Sequence, residues 1–266
     1  MLTKNLNDIF PNIPNDLEKL GYSLENLDLD LLPKHVSIIM DGNGRWATQR
    51  GKKRLFGHTA GIESLRDIVR TTSDLGIKYL SIYAFSTENW ARPKEEVMGL
   101  MNLFTRSVIK EMSALNKNNV KIKIIGDTSI LPQKTQNAFN EACKLMKNNT
   151  GMTLIPAVNY GSRAEITKAV NEAINEKLNS KVNDETKFSI SEKDIQNHLY
   201  TADIPDPDLL IRTSGEMRLS NYQLWQIAYS EIYITDVFWP DFDRYQYLKA
   251  LIDYQKRDRR YGGIKK

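Results

Sequence analysis

Four polar clusters in the sequence contain the residue types that bind anions and divalent cations. The first is DGNGRW at 41–46, directly after the apolar run HVSIIM. Its two glycines allow the backbone to approach an anion, Arg45 adds a charged fork, and Asp41 is placed to hold a divalent cation. The alternative is a tight turn with a solvated carboxylate, because DG and NG pairs are common turn formers. The pattern is neither a Walker A loop nor GxGxxG, so it does not indicate a nucleotide-binding loop.

Two further clusters carry basic and polar residues. RGKKRLFGHTAG at 50–61 places several cations and His58 before a helical segment, where an anion is favoured, and a solvated basic loop is the alternative. YAFSTENWARP at 83–93 follows an apolar run and sets donors and acceptors among aromatic rings. This mixture indicates a ligand with both an apolar and an anionic part.

The fourth cluster, IRTSGEMRLS at 211–220, offers two arginines and three hydroxyls around Gly215. This composition suits a second phosphate group. Glu231 stands apart as a lone carboxylate in an apolar, aromatic run, so we expect it to be paired, metal-bound or on the wet face of a strand. Two anion cradles beside a long apolar helix indicate a substrate with phosphates and a hydrocarbon body.

The segments that must position these clusters alternate between strands and helices. Runs typical of buried strands are HVSIIM, YLSIYAF, VKIKII, MTLIPAV and DLLIR. Helical periodicity predicts helices over 61–75, 93–115, 133–147, 163–178 and 192–200. We therefore predict a single α/β domain whose mostly parallel central sheet is flanked by helices, with the clusters at the carboxyl ends of the strands.

Residues 1–34 are polar and turn-rich, with one short helix predicted in SLENLDLDLLPK. We interpret them as an N-terminal surface segment ahead of a catalytic domain at 35–266, in which 179–189 is a surface loop. The helix over 93–115 is some 35 Å long at about 1.5 Å per residue and is long enough to wall an apolar tunnel. An ordinary core helix is the alternative.

Composition narrows the function classes. The 266 residues, 41% of them hydrophobic, suit one large domain, and the formal net charge of +4 is too small to identify a nucleic-acid-binding protein. The single cysteine, Cys143, excludes an intrachain disulfide and a cysteine-based metal site. No apolar run could span a bilayer and no secretory signal is recognisable, so we expect a cytoplasmic protein with peripheral membrane contact through a lipid substrate.

Six blocks, taken in order along the chain, resemble the signature blocks of the cis-prenyltransferase family, closest to the undecaprenyl diphosphate synthases. They are HVSIIMDGNGRWA, YAFSTENWARP, IIGD, VNYGSR, IRTSGEMRLSNYQLWQ and SEIYITDVFWPDFD, and the likeness covers 25–263. The resemblance implies a Mg²⁺-dependent condensation of isopentenyl diphosphate with an allylic diphosphate, with farnesyl diphosphate as the expected primer. The implied product is a long cis-polyprenyl diphosphate, undecaprenyl diphosphate, the lipid-carrier precursor for cell-wall synthesis.

The resemblance also implies a homodimer in which the terminal RYG, Arg260–Gly262, reaches into the partner's site. A tunnel walled by the predicted 93–115 helix, about 35 Å long, predicts a product of roughly ten to eleven isoprene units. The alternative is a non-catalytic partner subunit of the same fold. This chain has Asp41, Arg45, Arg212 and Arg218, which argues against that alternative.

The resemblance implies a role for each matching residue. Asp41 would bind Mg²⁺ and be catalytic, with Glu231 helping to hold the metal. The allylic diphosphate would be held by Gly42, Asn43, Gly44, Arg45, Arg54 and His58. The reacting centre would be lined by Trp46, Ser86, Thr87, Glu88, Asn89, Trp90 and Arg92. Isopentenyl diphosphate would be held by Arg212, Arg218, Leu219 and Ser220.

The proton acceptor is a separate question. Accounts of the family often give this role to the residue that matches Asn89, but a neutral amide is a poor base. We therefore interpret Asn89 as a residue that orients substrate and a substrate phosphate oxygen as the acceptor. Met217 and Ser162 stand where relatives often carry His and Gly, and Met217 weakens any role for a side-chain proton carrier at that position.

Overall fold

A six-stranded parallel sheet forms the centre of the protein. The computed structural model describes residues 5–179 and 189–258, and within them the strands are β1 (His35–Ile39), β2 (Tyr79–Ser86), β3 (Lys121–Ile122), β4 (Thr153–Tyr160), β5 (Leu209–Arg212) and β6 (Glu231–Ile234). Their order across the sheet is β3-β4-β2-β1-β5-β6, and each neighbouring pair runs parallel. The predicted α/β fold with a parallel sheet is confirmed.

Helices connect the strands and cover both faces of the sheet. They are α1 (Leu6–Ile9), α2 (Asn15–Lys19), α3 (Asn43–Gln49), α4 (Arg54–Asp74), α5 (Lys94–Lys117), α6 (Gln133–Leu145), α7 (Ser162–Asn179), α8 (Glu192–His198) and α9 (Arg244–Gln255). Parallel strands need such connections, because the chain must return to the starting edge before the next strand. In the part of the chain that the structure describes, no helix combines the length and the apolar character that crossing a membrane requires.

Strand β1 occupies the middle of the sheet, and all five of its residues are buried. It pairs with β2 on one side and with β5 on the other, where Val36 lies beside Leu209. Alternate residues of a strand face opposite sides of the sheet. Ile38 accordingly belongs to the large core cluster shared with α4 and α9, and Ile39 belongs to a second cluster with Leu210.

The strand predictions were correct in position but incomplete. Strand β3 covers only Lys121–Ile122, although Ile125 forms a further parallel bridge with Ala157. The sequence analysis missed β6 as a strand. Its four residues lie at the edge of the sheet and are mostly part-exposed, and the charged Glu231 begins the strand within an otherwise apolar, aromatic run.

Helices α5 to α8 lie where the periodicity predicts them, with ends shifted by no more than two residues. Helix α4 instead begins at Arg54, well before the predicted start at 61. Its early glycines pack against α3, because a Cβ at Gly57 would lie 1.9 Å from the carbonyl oxygen of Asn43. Helices α3 and α9 were not predicted; α9 buries residues on most of its surface and so shows no single apolar stripe.

The chain before β1 packs against the core as well as lying on the surface. Ile9 is buried, and its carbonyl oxygen accepts a hydrogen bond of 2.9 Å from Arg244 Nη1 at the start of α9. Two short 3-10 turns, Leu24–Asn26 and Leu29–Leu31, occupy the stretch where one short helix was predicted.

Candidate active site

The candidate active site lies at the carboxyl edge of the sheet, in the mouth of a cavity of about 1030 Å³. The predicted site residues that line this cavity are Asp41, Asn43, His58, Ser86, Glu88, Asn89, Arg92, Arg212, Arg218 and Ser220. They come from the loops that follow β1, β2 and β5 and from the first turns of α4. The four polar clusters of the sequence therefore lie together, because parallel strands deliver their following loops to one edge.

The first cluster forms the turn between β1 and α3. Gly42 has a φ of 100°, in the left-handed region that favours glycine, and a Cβ there would lie 2.6 Å from the Phe238 ring. The turn brings the Gly42 N–H to 2.7 Å from Asp41 Oδ1. Asn43 lines the cavity, and its Oδ1 is buried without a hydrogen-bond partner in the described part of the chain. This oxygen is available to a bound ligand.

Asp41 and Arg212 form an ion pair between the ends of β1 and β5. Arg212 Nη2 donates to Asp41 Oδ2 at 2.9 Å, and Arg212 Nη1 donates to Ser220 Oγ at 2.8 Å and to the Arg218 carbonyl. Arg212 is buried. Burial alone would raise the pKa of Asp41, but the hydrogen bonds from Arg212 and Gly42 together with the nearby positive charges hold that pKa below its usual value. Asp41 is therefore an ionised carboxylate at neutral pH.

Arg45 binds the loop after β5 from the α3 side. Its Nη2 donates to Ser214 Oγ at 2.6 Å, and its Nη1 lies 2.8 Å from Glu216 Oε1. Glu216 also pairs with Arg218. Sequence analysis did not single out Glu216 or assign a partner to Ser214, although both lie in the fourth cluster. A carboxylate between Arg45 of α3 and Arg218 of the loop after β5 holds both guanidinium groups in place beside the mouth.

The loop after β2 is a 3-10 turn, Thr87–Ala91, closed by a capping box. The Ser86 backbone N–H donates to Asn89 Oδ1 at 3.2 Å. This bond occupies the amide oxygen, so the Asn89 NH₂ is the group free to act as a donor. Arg92 Nη1 donates to Glu96 Oε1 at 3.2 Å. The predicted orienting role of Asn89 is compatible with this geometry and stays a prediction.

Arg54 and His58 lie on the first turns of α4. Arg54 packs over Gly44, since a Cβ at Gly44 would lie 2.6 Å from the guanidinium carbon, and it pairs with Glu96. His58 Nε2 is buried with no hydrogen-bond partner among the described residues. Burial, aided by the charge of Arg92, lowers the pKa of His58 to about 4. The imidazole is neutral at neutral pH and can accept or donate one hydrogen bond.

Besides Gly42, Gly44, Arg45 and Arg54, four predicted substrate-binding residues do not line the cavity. Trp46 stacks on Phe56 with ring centroids 6.0 Å apart, and its Nε1 donates to Asp241 Oδ1 at 2.7 Å. Trp90 Nε1 donates to Asn159 Oδ1 at 2.8 Å. The remaining two are Thr87, which donates to Glu88 Oε2 at 3.2 Å, and Leu219, which packs on the second core cluster.

Within one chain, Glu231 lies far from the Asp41 metal site expected from the sequence. Glu231 is the first residue of β6 and lies beside Leu209, at the amino edge of the sheet, whereas Asp41 follows the carboxyl end of β1. Val36 lies level with Leu209 and Glu231 across the sheet, and Asp41 comes five residues after Val36. Five residues of extended chain span roughly 16 Å at about 3.3 Å per residue. Glu231 Oε2 instead accepts a hydrogen bond of 2.9 Å from Arg257. Within one chain, Glu231 and Asp41 cannot hold the same ion.

The cavity continues from the mouth between α4 and α5. Its α5 wall extends from Leu100 to Asn118, about 27 Å at 1.5 Å per residue. The apolar residues that line it include Leu65, Val69, Leu100, Leu103, Phe104, Val108, Leu115, Ile122, Phe139, Met146 and Leu154. An ion pair between Arg66 and Glu111, 2.7 Å long, crosses from α4 to α5 along this wall. The space has a charged mouth and a largely apolar body.

Asp41 is the carboxylate best placed to hold a metal at the mouth. Among residues 5–179 and 189–258, no group of three or more His, Cys, Asp or Glu side chains is arranged to hold a metal ion. Mg²⁺ does not need such a group, because it keeps several waters and is commonly bound by one or two carboxylates together with substrate phosphates. The ionised Asp41 beside two cationic loops fits this mode of binding.

Comparisons with known proteins agree with this geometry. Residues 39–262 match the Prenyltransf family model, which describes undecaprenyl diphosphate synthases. The chain belongs to the undecaprenyl diphosphate synthase family. It is 46% identical over 257 residues to the isoprenyl transferase of Clostridium tetani, covering 97% of this chain and 99% of the relative. It is 51% identical over 240 residues to that of Streptococcus pyogenes serotype M6, covering 89% and 95%.

A solved structure of a cis-prenyltransferase has the same fold. Lavandulyl diphosphate synthase from Lavandula x intermedia, in complex with dimethylallyl diphosphate, superimposes with a TM-score of 0.81 at 37% identity, over 88% of this chain and 100% of that one. The family resemblance read from the six sequence blocks is thereby confirmed, and the chain is a cis-prenyltransferase enzyme. The terminal Arg260–Gly262 lies outside the described residues.

Proposed function

We propose that this undecaprenyl diphosphate synthase family member condenses isopentenyl diphosphate with farnesyl diphosphate and releases undecaprenyl diphosphate, the lipid-carrier precursor for cell-wall synthesis. One observation carries the proposal: an anion-binding mouth around Asp41 and Arg212 opens directly into an apolar cavity of about 1030 Å³. A substrate with a diphosphate head and a hydrocarbon tail matches both parts. The dimethylallyl diphosphate bound to the lavandulyl enzyme supports an allylic substrate.

In the proposed reaction, the C–O bond of the allylic diphosphate breaks, C1 of the allyl group bonds to C4 of isopentenyl diphosphate, and a proton leaves C2. Negative charge develops on the departing diphosphate, so preorganised donors around it lower the barrier most. The α3 turn, Arg45 and His58 would hold this group, and Arg212 and Arg218 would hold isopentenyl diphosphate. Asn89 would orient the reacting centre while a phosphate oxygen accepts the proton.

We propose Mg²⁺ as the cofactor, held by Asp41 and by substrate phosphate oxygens. The pKa of Asp41 lies below its usual value, so the carboxylate is charged and ready to bind a cation. The ion would neutralise charge on the departing diphosphate, which is the chemistry that a divalent metal supplies to such leaving groups. The arginines would fix the geometry of the diphosphates, and the walls of the cavity would exclude water from the allylic centre.

We further propose a homodimer formed along β6. This strand lies at the edge of the sheet, and the nearby Tyr229 and Ile232 are 73% and 42% exposed. Exposed apolar residues beside an open strand edge favour association with another chain. Glu231 and Arg257 lie on the same edge, next to the segment that leads to Arg260–Gly262.

Product analysis of one reaction tests the proposal. The purified protein is incubated with farnesyl diphosphate, labelled isopentenyl diphosphate and Mg²⁺, and the products are separated by chain length, with a chelator-treated sample as control. We expect a product of roughly ten to eleven isoprene units, as the family resemblance implies, and the cavity wall of about 27 Å favours a long product over a short one. Release of diphosphate without chain growth would contradict the synthase assignment. Growth by only one or two units would contradict the long product.

A further inference from the structure

Asn221 joins three loops of the site through both ends of its side-chain amide. Its Nδ2 donates to Glu88 Oε1 at 2.8 Å, and its Oδ1 accepts from the Arg163 backbone N–H at 2.9 Å. The Asn221 carbonyl also accepts from the Ser162 N–H at 2.8 Å. The backbone donor fixes which end of the amide is the oxygen, so the nitrogen must face the carboxylate. Asn221 itself lines the cavity.

The backbone around Asn221 is held in a conformation that most residues avoid. Ser220, Asn221 and Gln223 have φ values of 51°, 61° and 44°, all in the left-handed region. Such residues persist only where their surroundings over-determine the conformation, and asparagine tolerates it best. The next residue supports the same strained turn, because the Tyr222 ring stacks on Tyr83 with centroids 4.3 Å apart. The loop after β5 therefore holds Ser220 and Asn221 in one fixed backbone conformation.

The contacts of Asn221 lie between the two anion-binding halves of the mouth. On one side, Ser220 accepts a hydrogen bond of 2.8 Å from Arg212. On the other side, Glu88 lies in the 3-10 turn that carries Asn89. The three loops touch so closely that a Cβ at Gly161 would lie 2.6 Å from Thr87 Oγ1 and 2.8 Å from Asn221 Nδ2. A shift of one loop must therefore be transmitted to the others.

We propose that Asn221 is a positioning residue that locks the loop after β5 to the loop after β2, and so sets where isopentenyl diphosphate lies relative to the allylic centre. The proposal rests on the proposed function, because it assigns Arg212 and Ser220 to isopentenyl diphosphate. Asn221 acts through Glu88 and Ser220. Loss of the amide should displace the second diphosphate while the turn after β1, which shares no hydrogen bond with Asn221 in the described part of the chain, still binds the first.

The chain offers a matched control at the opposite edge of the sheet. Asn119 also has a left-handed φ, 56°, and both ends of its amide are bonded, Nδ2 to Thr150 Oγ1 at 3.1 Å and Oδ1 to the Thr150 N–H at 2.9 Å. Its carbonyl accepts from the Gly151 N–H, as that of Asn221 does from Ser162. The glycine variants at the two asparagines therefore share the left-handed turn and the loss of a doubly bonded amide, and differ in distance from the site. In the aspartate variants only position 221 faces a carboxylate, so Asn119→Asp controls for the change from amide to acid.

The experiment compares Asn221→Gly and Asn221→Asp with Asn119→Gly and Asn119→Asp in the full-length protein. Glycine keeps the left-handed turn without the amide, and aspartate places a second carboxylate against Glu88. Calorimetric titration with isopentenyl diphosphate and, separately, with farnesyl diphosphate gives both affinities without turnover, and steady-state kinetics gives kcat and both KM values. Thermal unfolding reports stability for all four variants.

We expect Asn221→Asp to weaken isopentenyl diphosphate binding roughly 10- to 100-fold, the loss associated with one charge-assisted hydrogen bond. Farnesyl diphosphate binding should change about threefold or less, and the Asn119 variants should change neither affinity. The reversed pair Glu88→Gln with Asn221→Asp restores a donor and an acceptor, so it should bind isopentenyl diphosphate as well as Glu88→Gln alone.

Equal losses of both affinities, or losses matched by the Asn119 variants, would show a structural role only and overturn the proposal. Unchanged binding in both Asn221 variants would overturn it as well. A wild-type protein that binds both diphosphates but forms no product would refute the proposed function, and the titrations would still decide the role of Asn221. A wild-type protein that binds neither diphosphate would refute both.

Discussion

Replacing Asp41 with alanine should affect stability and catalysis by different amounts. The Asp41 and Arg212 side chains are 29% and 4% exposed, and 2.9 Å separates their paired atoms. Asp41→Ala leaves the buried guanidinium without its carboxylate. A fully buried pair broken in this way costs about 3–5 kcal/mol. Because Asp41 is partly exposed and Arg212 keeps Ser220 as a partner, we expect a loss of about 1–3 kcal/mol.

A double-mutant cycle isolates this pair. Urea unfolding of the wild type, Asp41→Ala, Arg212→Ala and the double variant, all without ligand, should give a coupling energy of about 1–2 kcal/mol. The pair also predicts a pH dependence with a definite sign. Since the folded-state pKa of Asp41 is lowered, its stabilisation is complete above the unfolded pKa of about 4 and is lost as pH falls through the folded value.

The kinetic effect of the same substitution should be larger. If Asp41 holds the metal that acts on the departing diphosphate, kcat falls on the order of 10³-fold, the scale of losing one strong transition-state interaction. Farnesyl diphosphate binding, measured by calorimetry, should weaken far less. Zero coupling with Arg212 would refute the energetic argument. Near-normal kcat with poor allylic binding would refute the catalytic assignment of Asp41.

Three further outcomes are expected. Ser107 lines the cavity, so Ser107→Phe should shorten the product, whereas Ser113→Phe on the exposed side of α5 should not; equal product lengths would place the chain elsewhere. Arg218→Gln should raise the KM for isopentenyl diphosphate roughly 10- to 100-fold with little change in Tm, and an unchanged KM would remove Arg218 from that subsite. Burial lowers the pKa of His35 to about 4, so the unfolded state binds the extra proton between about pH 6.5 and 4. The free energy of unfolding should fall as pH drops through that range, by up to about 1.4 kcal/mol per pH unit from this group, and His35→Gln should show a shallower slope.

The sequence was most informative where local pattern and topology agree. Near-continuous apolar runs predict the central strands, and the strand-helix alternation then predicts which edge receives the loops. Asp41, His58, Asn89 and Arg212 could therefore be placed near one another from the sequence. The signal was strong because each lies in a polar stretch that directly follows a strand or opens a helix.

Contacts between residues that are far apart in the sequence could not be predicted in this way. A carboxylate between a strand end and a glycine is expected to carry little packing, yet Asp41 balances the buried Arg212. Glu231 was joined to the metal site by resemblance alone, and only the pairing of β6 with β5 shows that it lies at the other edge. Glu216 was overlooked because its partner Arg45 is far away in sequence.

The central position of β1 has a consequence for how the protein is made. Val36 lies beside Leu209, so the middle of the sheet is completed only after most of the chain has been synthesised. Pairings between such distant segments slow folding, because the long intervening loop must close before the contact forms. A ligand that contacts both Asp41 and Arg212 therefore binds only the finished sheet and raises the population of the folded state. Substitutions in β5 or β6 should lower the amount of protein in the cell even where they leave the reaction untouched.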